Sequence, residues 1–219
     1  MKRFLIAIAV AVASGLCLPP STAAGAQQKF VVKLLAEKKV AELPAGPLFW
    51  RIENFGTLAQ AQAAAGPWSL VAESAGKVWL FTLGPAGGSS AGGTKVAEVG
   101  PISRVVAKEY LLRINEGSSP PGSITPAHSH PGSEAFYVLA GETSSHTPHG
   151  VMRVGAGQFA TGNVAGTPMQ VSSSGSTDLR SLVMFVVDAT QPFSSPAEFP
   201  ESRVEGKGSS TLPSATFGR

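Results

Sequence analysis

Cysteine is almost absent from this chain. Its 219 residues contain one cysteine, Cys17, which lies in an apolar segment near the N-terminus. If that segment is removed from the mature protein, no thiol remains. Disulfides, thiolate metal ligands and a cysteine nucleophile are then excluded, and stability must come from the packed core.

Charge is scarce as well. Charged residues make up 14% of the chain and hydrophobic residues 43%, which is the composition of a globular protein. The formal net charge is +3, and Lys2 and Arg3 supply two of the positive charges, so without them it is +1. Such a weak positive charge gives no electrostatic basis for nucleic-acid binding, and we expect no nucleic-acid partner.

The first 26 residues resemble a secretory signal peptide. Two basic residues precede an apolar run at 4–13, and small residues follow up to Ala26. This pattern predicts cleavage near Ala26 and a secreted or periplasmic protein. The apolar run is too short for a comfortable membrane span, so we expect no stable membrane insertion, with a retained anchor as the alternative.

Helical periodicity is scarce, whereas glycine (25 residues) and proline (17 residues) are abundant. One short helix is predicted, beginning at the capping pair Thr57 and Gln60 and ending before Gly66-Pro67. The remaining apolar segments are short and bounded by turn residues. This spacing indicates an all-β sandwich or barrel.

Composition also divides the chain. After the predicted signal peptide, residues 27–46 form a lead-in that could be an edge strand or a helical turn. Residues 47–190 hold the strand-like segments and are interpreted as one domain. Residues 191–219 are rich in Pro, Ser and Gly and predict a largely disordered tail, although its phenylalanines leave docking on the domain open.

Two of the four histidines of the chain lie close together, at His128 and His130, with Glu134 shortly after them. On an extended strand, residues two apart point to the same face. Pro131-Gly132 then turns the chain into the apolar strand that Glu134 opens. Two imidazoles and one carboxylate on one side of an ion are typical of metal sites with open positions, although two solvated loop histidines are the alternative.

The spacing around these residues resembles the first motif of the cupin family. Gly122 and His128 are separated by five residues, His128 and His130 by one, His130 and Glu134 by three, and Glu134 and Gly141 by six. The resemblance implies a double-stranded β-helix, the cupin jelly roll, and the one short N-terminal helix predicted above from the residues adds to it. It also implies that His128, His130 and Glu134 are metal ligands.

Cupins carry a second motif whose histidine completes the metal site, and here it is degraded. Residues 157–175 are similar to it, but Val164 stands in its proline position and Met169 in its histidine position. Met169 is thus a possible fourth ligand, a core residue, or the sign of a lost site. A thioether ligand would favour copper. His146 and His149, in a predicted hairpin turn, are interpreted as an exposed pair.

Three functions follow from this resemblance. The chain could be a metal-dependent oxygenase, isomerase or related enzyme, a small-ligand-binding protein without turnover, or a structural cupin with a relic site. The expected cofactor is one divalent transition metal ion: iron, manganese, copper, nickel or zinc. The expected partner is a small molecule, with a homodimer also possible, and no catalytic residue is assigned from the sequence.

Overall fold

The computed structural model describes residues 29–199. The predicted signal peptide, residues 1–26, and residues 200–219 of the predicted tail lie outside these described residues. No helix in residues 29–199 combines the length and the hydropathy of a membrane span.

Strands dominate this part of the chain, which confirms the all-β prediction. In chain order the elements are β1 (Val31–Val40), β2 (Leu48–Phe55), α1 (Leu58–Ala64), β3 (Ser69–Ser74), β4 (Lys77–Gly84), β5 (Thr94–Ile102), β6 (Tyr110–Ser119), β7 (His128–Ser129), β8 (Gly132–Ala140), β9 (Glu142–Thr147), β10 (Gly150–Gly155), β11 (Phe159–Ala160), β12 (Gln170–Ser173), β13 (Leu179–Asp188) and β14 (Ser195–Pro196).

A central five-stranded sheet, in the order β1-β6-β13-β8-β11, has a second sheet on each of its faces. A three-stranded sheet, β10-β9-β12, covers one face and completes the predicted double-stranded β-helix. A four-stranded sheet, β3-β4-β2-β5, covers the other face. All strand pairs of the central sheet are antiparallel, so side chains alternate between the two faces along each strand.

This alternation separates two cores. Leu112, Ile114 and Met184 point from the central sheet towards the four-stranded sheet, where they pack with the fully buried Trp50 and Trp79. A smaller cluster inside the barrel contains Phe30, Val138, Val154, Val171 and Leu179. The larger core therefore lies outside the barrel, and the barrel interior keeps room for polar side chains.

The predicted helix forms as expected, and a tight turn follows it between β3 and β4. Thr57 Oγ1 accepts a hydrogen bond from the Gln60 backbone N–H at 3.2 Å, which satisfies one free donor of the first turn. Ala61 is the buried residue of α1. The turn between β3 and β4 uses left-handed backbone at Ala75 (φ 53°) and Gly76 (φ 69°), which suits a tight hairpin.

The structure adds to the interpretation of the sequence at three places. Of the two alternatives left open for the lead-in, it shows the edge strand, β1, whose residues pair with β6 from Val31 to Val40. Strands β2 to β5 lie within the predicted domain 47–190 but form a separate sheet outside the barrel. Residues 191–199, predicted to begin the disordered tail, contact the barrel instead, and β14 pairs with β7.

Candidate metal centre

Strand β7 brings the two histidines together. His128 begins β7 and His130 follows its last residue, Ser129, and the two ring centroids are 5.1 Å apart. Gly132 then opens β8 against β13, where a Cβ atom would lie 2.1 Å from the Val186 carbonyl oxygen. This close passage requires glycine and carries the chain directly from the histidines to Glu134.

In both histidines, the ring nitrogen Nδ1 lies within hydrogen-bond distance of a backbone carbonyl oxygen. His128 Nδ1 lies 2.9 Å from the Pro126 oxygen, and His130 Nδ1 lies 2.7 Å from the Phe193 oxygen. A carbonyl oxygen can only accept, so Nδ1 donates in each ring. In the neutral ring the lone pair is then on Nε2, which is the form that binds a metal ion.

Burial also keeps His130 neutral. His130 is 5% exposed, and this burial lowers its pKa from 6.5 to about 4. The charges of His128 and Arg113 also lower the pKa, by smaller amounts. The hydrogen bond to Phe193 acts in the opposite direction. At neutral pH this side chain is therefore an uncharged imidazole.

Glu134 is a buried carboxyl group held by Asn163. Burial raises the pKa of Glu134 from 4.5 to about 7, and the hydrogen bond from Asn163 Nδ2 to Glu134 Oε1, 2.8 Å long, lowers it in part. Asn163 Nδ2 also lies 3.0 Å from Ser145 Oγ and 3.4 Å from Met169 Sδ. Within residues 29–199, no group of three or more His, Cys, Asp or Glu side chains is arranged to hold a metal ion.

Met169 lies directly opposite His128. Their backbones exchange two hydrogen bonds, 2.9 and 2.8 Å long, so the two side chains share one face of the pair. The Met169 side chain is buried, and its sulfur contacts the Asn163 amide. The degraded second motif is therefore placed beside the first, and the role of Met169 as a ligand stays a prediction.

The hairpin histidines lie elsewhere. His146 and His149 are exposed on the β9–β10 hairpin, as expected. The His146 ring stacks on Phe199 with a centroid distance of 4.8 Å.

The histidines and Glu134 border a cavity of about 260 Å³. Its walls are mainly apolar, with Phe136, Val183 and Phe185 among them. Asn115 and Ser181 add polar groups to the lining. Such a cavity suits a small ligand with a large apolar surface and few polar groups.

Sequence reasoning missed Asn163 and Phe193, two residues that contact the site. The one signal for Asn163 in the sequence is the glycine before it. The structure explains that glycine, because Gly162 has φ +61° and a Cβ there would lie 2.6 Å from the Glu134 carbonyl oxygen. The signal for Phe193 is weaker. It is an aromatic residue in a polar segment, and nothing in the sequence connects it to His130.

Residues 117–185 match the cupin domain family, and this stretch spans the histidines, Glu134 and Met169. The chain contains a cupin domain. No curated protein gives a significant match to the chain.

Several solved structures resemble the cupin domain. A cupin superfamily protein from Desulfitobacterium hafniense is 14% identical, with a TM-score of 0.32, covering 35% of this chain and 68% of that one. A cupin-like protein from Thermotoga maritima is 14% identical, with a TM-score of 0.35 and coverages of 39% and 64%. The DMSP lyase DddQ from Ruegeria pomeroyi is 24% identical, with a TM-score of 0.34 and coverages of 39% and 42%. The chain thus spans less than two thirds of the length of the last two proteins. With TM-scores this low, no reaction of these proteins is assigned to this chain.

Proposed function

We propose that this cupin-domain protein binds one divalent transition metal ion through His128 and His130, with Glu134 as the third ligand. The observation that carries the proposal is the pair of Nδ1 contacts to backbone carbonyls. They leave both Nε2 lone pairs available in rings 5.1 Å apart at the same cavity. Solvated loop histidines would have no such matched pair of acceptors.

The donor set fits the borderline divalent ions. Imidazole suits iron, nickel, copper and zinc, and a carboxylate adds the negative charge that such ions favour. Glu134 would have to lose its proton and turn from Asn163 to the histidines, and a bound cation favours the ionised carboxylate electrostatically. When bound, the ion would act as a Lewis acid or in dioxygen chemistry, with open positions for a ligand.

The ligand we propose is a small, mainly apolar molecule. The cavity walls would exclude water from it, and Asn115 would orient a polar group by hydrogen bonding. A metal-dependent oxygenase or isomerase is the class of enzyme that we infer. Oxygen consumption and product formation over a panel of small apolar substrates test for turnover.

A second candidate is a small-ligand-binding cupin that uses no metal. One observation favours it: in the part of the chain that the structure describes, no three His, Cys, Asp or Glu side chains are arranged to hold a metal ion. In that case Glu134 would stay bonded to Asn163 as a neutral acid at slightly acidic pH. The metal assay below separates the two candidates.

The test is elemental analysis of the full-length protein after reconstitution with each candidate metal. We expect close to one equivalent in the wild type and none after replacing both His128 and His130 with alanine. The matched control replaces the exposed pair His146 and His149 with alanine and should keep its metal. Less than about a tenth of an equivalent in the wild type would favour the second candidate.

We also propose that the protein is exported, from the resemblance of residues 1–26 to a signal peptide. Intact-mass measurement of protein from the medium or periplasm should show a chain that begins near Gln27. An uncleaved chain in the membrane fraction would contradict this proposal.

A further inference from the structure

The segment 191–199 folds back over the histidine strand. The turn before it is fixed by Asp188, whose Oδ1 accepts from the Thr190 N–H (2.9 Å) and hydroxyl (2.7 Å) and whose Oδ2 accepts from Gln191 Nε2 (2.7 Å). Strand β14 then pairs with β7, and the Ala197 N–H donates to the Ala127 oxygen at 3.2 Å. The backbone of this segment is therefore held at both ends of its crossing over β7.

We propose that Phe193 is a positioning residue of the candidate metal centre, which orients His130 and forms one wall of the ligand cavity. This inference rests on the proposed function, because it assigns a role within the same site. Neither cupin motif includes residue 193, and the contact between His130 and Phe193 joins residues that are 63 positions apart.

The backbone carbonyl of Phe193 provides the first contact. At 2.7 Å it accepts from His130 Nδ1 and so selects the ring form with the lone pair on Nε2. The equivalent acceptor for His128 is Pro126, two residues away in the same loop. The orientation of His128 is thus set locally, whereas that of His130 depends on the docked segment.

The aromatic ring of Phe193 provides the second contact. The His130 ring lies between Phe185 and Phe193, with centroid distances of 4.9 and 4.7 Å, and the two phenylalanine rings contact each other at 4.9 Å. The Arg113 guanidinium lies 4.1 Å from the centre of the Phe193 ring, and its Nε donates to Asn115 Oδ1 at 3.0 Å. Phe193 is therefore fixed by a cation–π contact and by aromatic packing.

Both Phe193 and Ser194 line the cavity. A smaller side chain at residue 193 would enlarge the cavity and expose the His130 ring. Phe193 thus links the size of the ligand site to the orientation of a proposed metal ligand.

The test uses three full-length variants: Phe193→Ala, Phe193→Leu and, as a matched control, Phe199→Ala. Phe199 lies in the same segment but stacks on the exposed His146. The first readout is the nitrogen-15 NMR spectrum of the histidine rings without metal, which reports the tautomer of His130. The second is cobalt(II) affinity, measured by competition with a calibrated chelator.

We expect a single Nδ1–H form of His130 in the wild type and in Phe199→Ala. We expect a mixture of both tautomers in Phe193→Ala, which keeps the backbone carbonyl of residue 193 but loses the ring packing that holds this carbonyl against His130. Cobalt affinity should fall about 10-fold in Phe193→Ala, the size of the effect of losing an outer contact of a metal ligand. Phe193→Leu keeps the apolar bulk but loses the ring contacts, so its values should lie between those of the wild type and Phe193→Ala.

A folded Phe193→Ala variant with the wild-type tautomer and affinity would overturn the positioning role. If that variant does not fold, wild-type values in Phe193→Leu would overturn it equally. Failure of the proposed function has a different signature: no cobalt bound to the wild type, while the tautomer of His130 still depends on Phe193.

Discussion

At the scale of single residues, burial shifts the pKa values of two cavity-lining residues, His130 and Glu134, in opposite directions. The pKa of His130 falls from 6.5 to about 4, so between these two pH values the folded protein binds fewer protons there than the unfolded chain does. This contribution to stability is lost as the pH falls from 6.5 towards 4. The pKa of Glu134 rises from 4.5 to about 7, and its contribution is lost as the pH rises from 4.5 towards 7.

The two effects oppose each other between pH 4.5 and 6.5, and single variants should reveal them. For metal-free Glu134→Gln we expect the free energy of unfolding to fall on acidification through this range, by on the order of 3 kcal/mol. For His130→Asn we expect it to fall as the pH rises through the same range. Urea unfolding curves measure both, and the wild type should vary less than either variant. Parallel pH profiles of the two variants would contradict the prediction.

Met169 permits a second prediction at this scale. Because its side chain shares a face with His128, Met169→His should place a third imidazole beside the pair. We expect nickel(II) and zinc(II) affinity to rise at least about 10-fold, since imidazole binds these ions better than a thioether. Metal competition assays measure the change.

Met169→Leu is the matched control for that experiment, because it keeps the apolar volume and removes the sulfur. If Met169 is a core residue, Met169→Leu leaves copper(I) binding unchanged, and if it is a ligand, copper(I) binding weakens. Unchanged affinity of Met169→His for every metal would show that residue 169 does not face the site.

At the scale of elements, the turn between β7 and β8 depends on a close backbone approach. A Cβ at Gly132 would lie 2.1 Å from the Val186 oxygen, and this neighbour is backbone that cannot rotate away. We expect Gly132→Ala to lower the free energy of unfolding by about 1–3 kcal/mol. Metal affinity should fall too, because the turn sets the position of Glu134 relative to the histidines.

Gly84, in β4, is the control for Gly132, since a Cβ there has no heavy atom within 4 Å. Gly84→Ala should leave stability unchanged or raise it by about 0.5 kcal/mol. Denaturant titrations of both variants give the comparison. Equal stabilities for the two variants would show that β8 can move away from β13 at little cost.

The glycine-rich loop between β4 and β5 shows how a single side chain organises a connection. Its composition predicts a flexible surface loop. However, the fully buried Glu53 accepts hydrogen bonds from the Ser90 N–H and hydroxyl, both 2.7 Å long, and from Arg51 Nε at 3.0 Å. A carboxylate on β2 thus fixes the middle of the loop.

At the scale of the whole molecule, the central sheet is shared by two cores, so the three sheets should unfold together. Leu112 is fully buried on the face towards the four-stranded sheet, in the cluster that contains Trp50 and Trp79. We expect Leu112→Ala to destabilise the protein by about 2–5 kcal/mol. Tryptophan fluorescence, which reports the outer core, and far-UV circular dichroism should show one coincident transition.

Val151, 57% exposed on β10, provides the control. Val151→Ala should change stability by less than about 0.5 kcal/mol. Two separate transitions, with the tryptophan signal lost first, would show that the four-stranded sheet unfolds independently of the barrel.

The sequence by itself determined the features that depend on neighbours along the chain. The short apolar segments bounded by turn residues and the helix start at Thr57 are local, and so is the motif spacing that sets His128 and His130 two residues apart. These features follow from backbone geometry and from side-chain periodicity. They could therefore be predicted without knowledge of any distant contact.

The tertiary structure decided what depends on contacts between distant residues. It placed β2 to β5 outside the barrel, joined Asn163 to Glu134, and brought Phe193 to His130 across 63 positions of the chain. No periodicity encodes these contacts, because they arise when separate strands meet at one cavity. The proposed ligand residues are thus visible in the sequence, whereas the protonation and orientation of those side chains are set by burial and by partners that only the fold supplies.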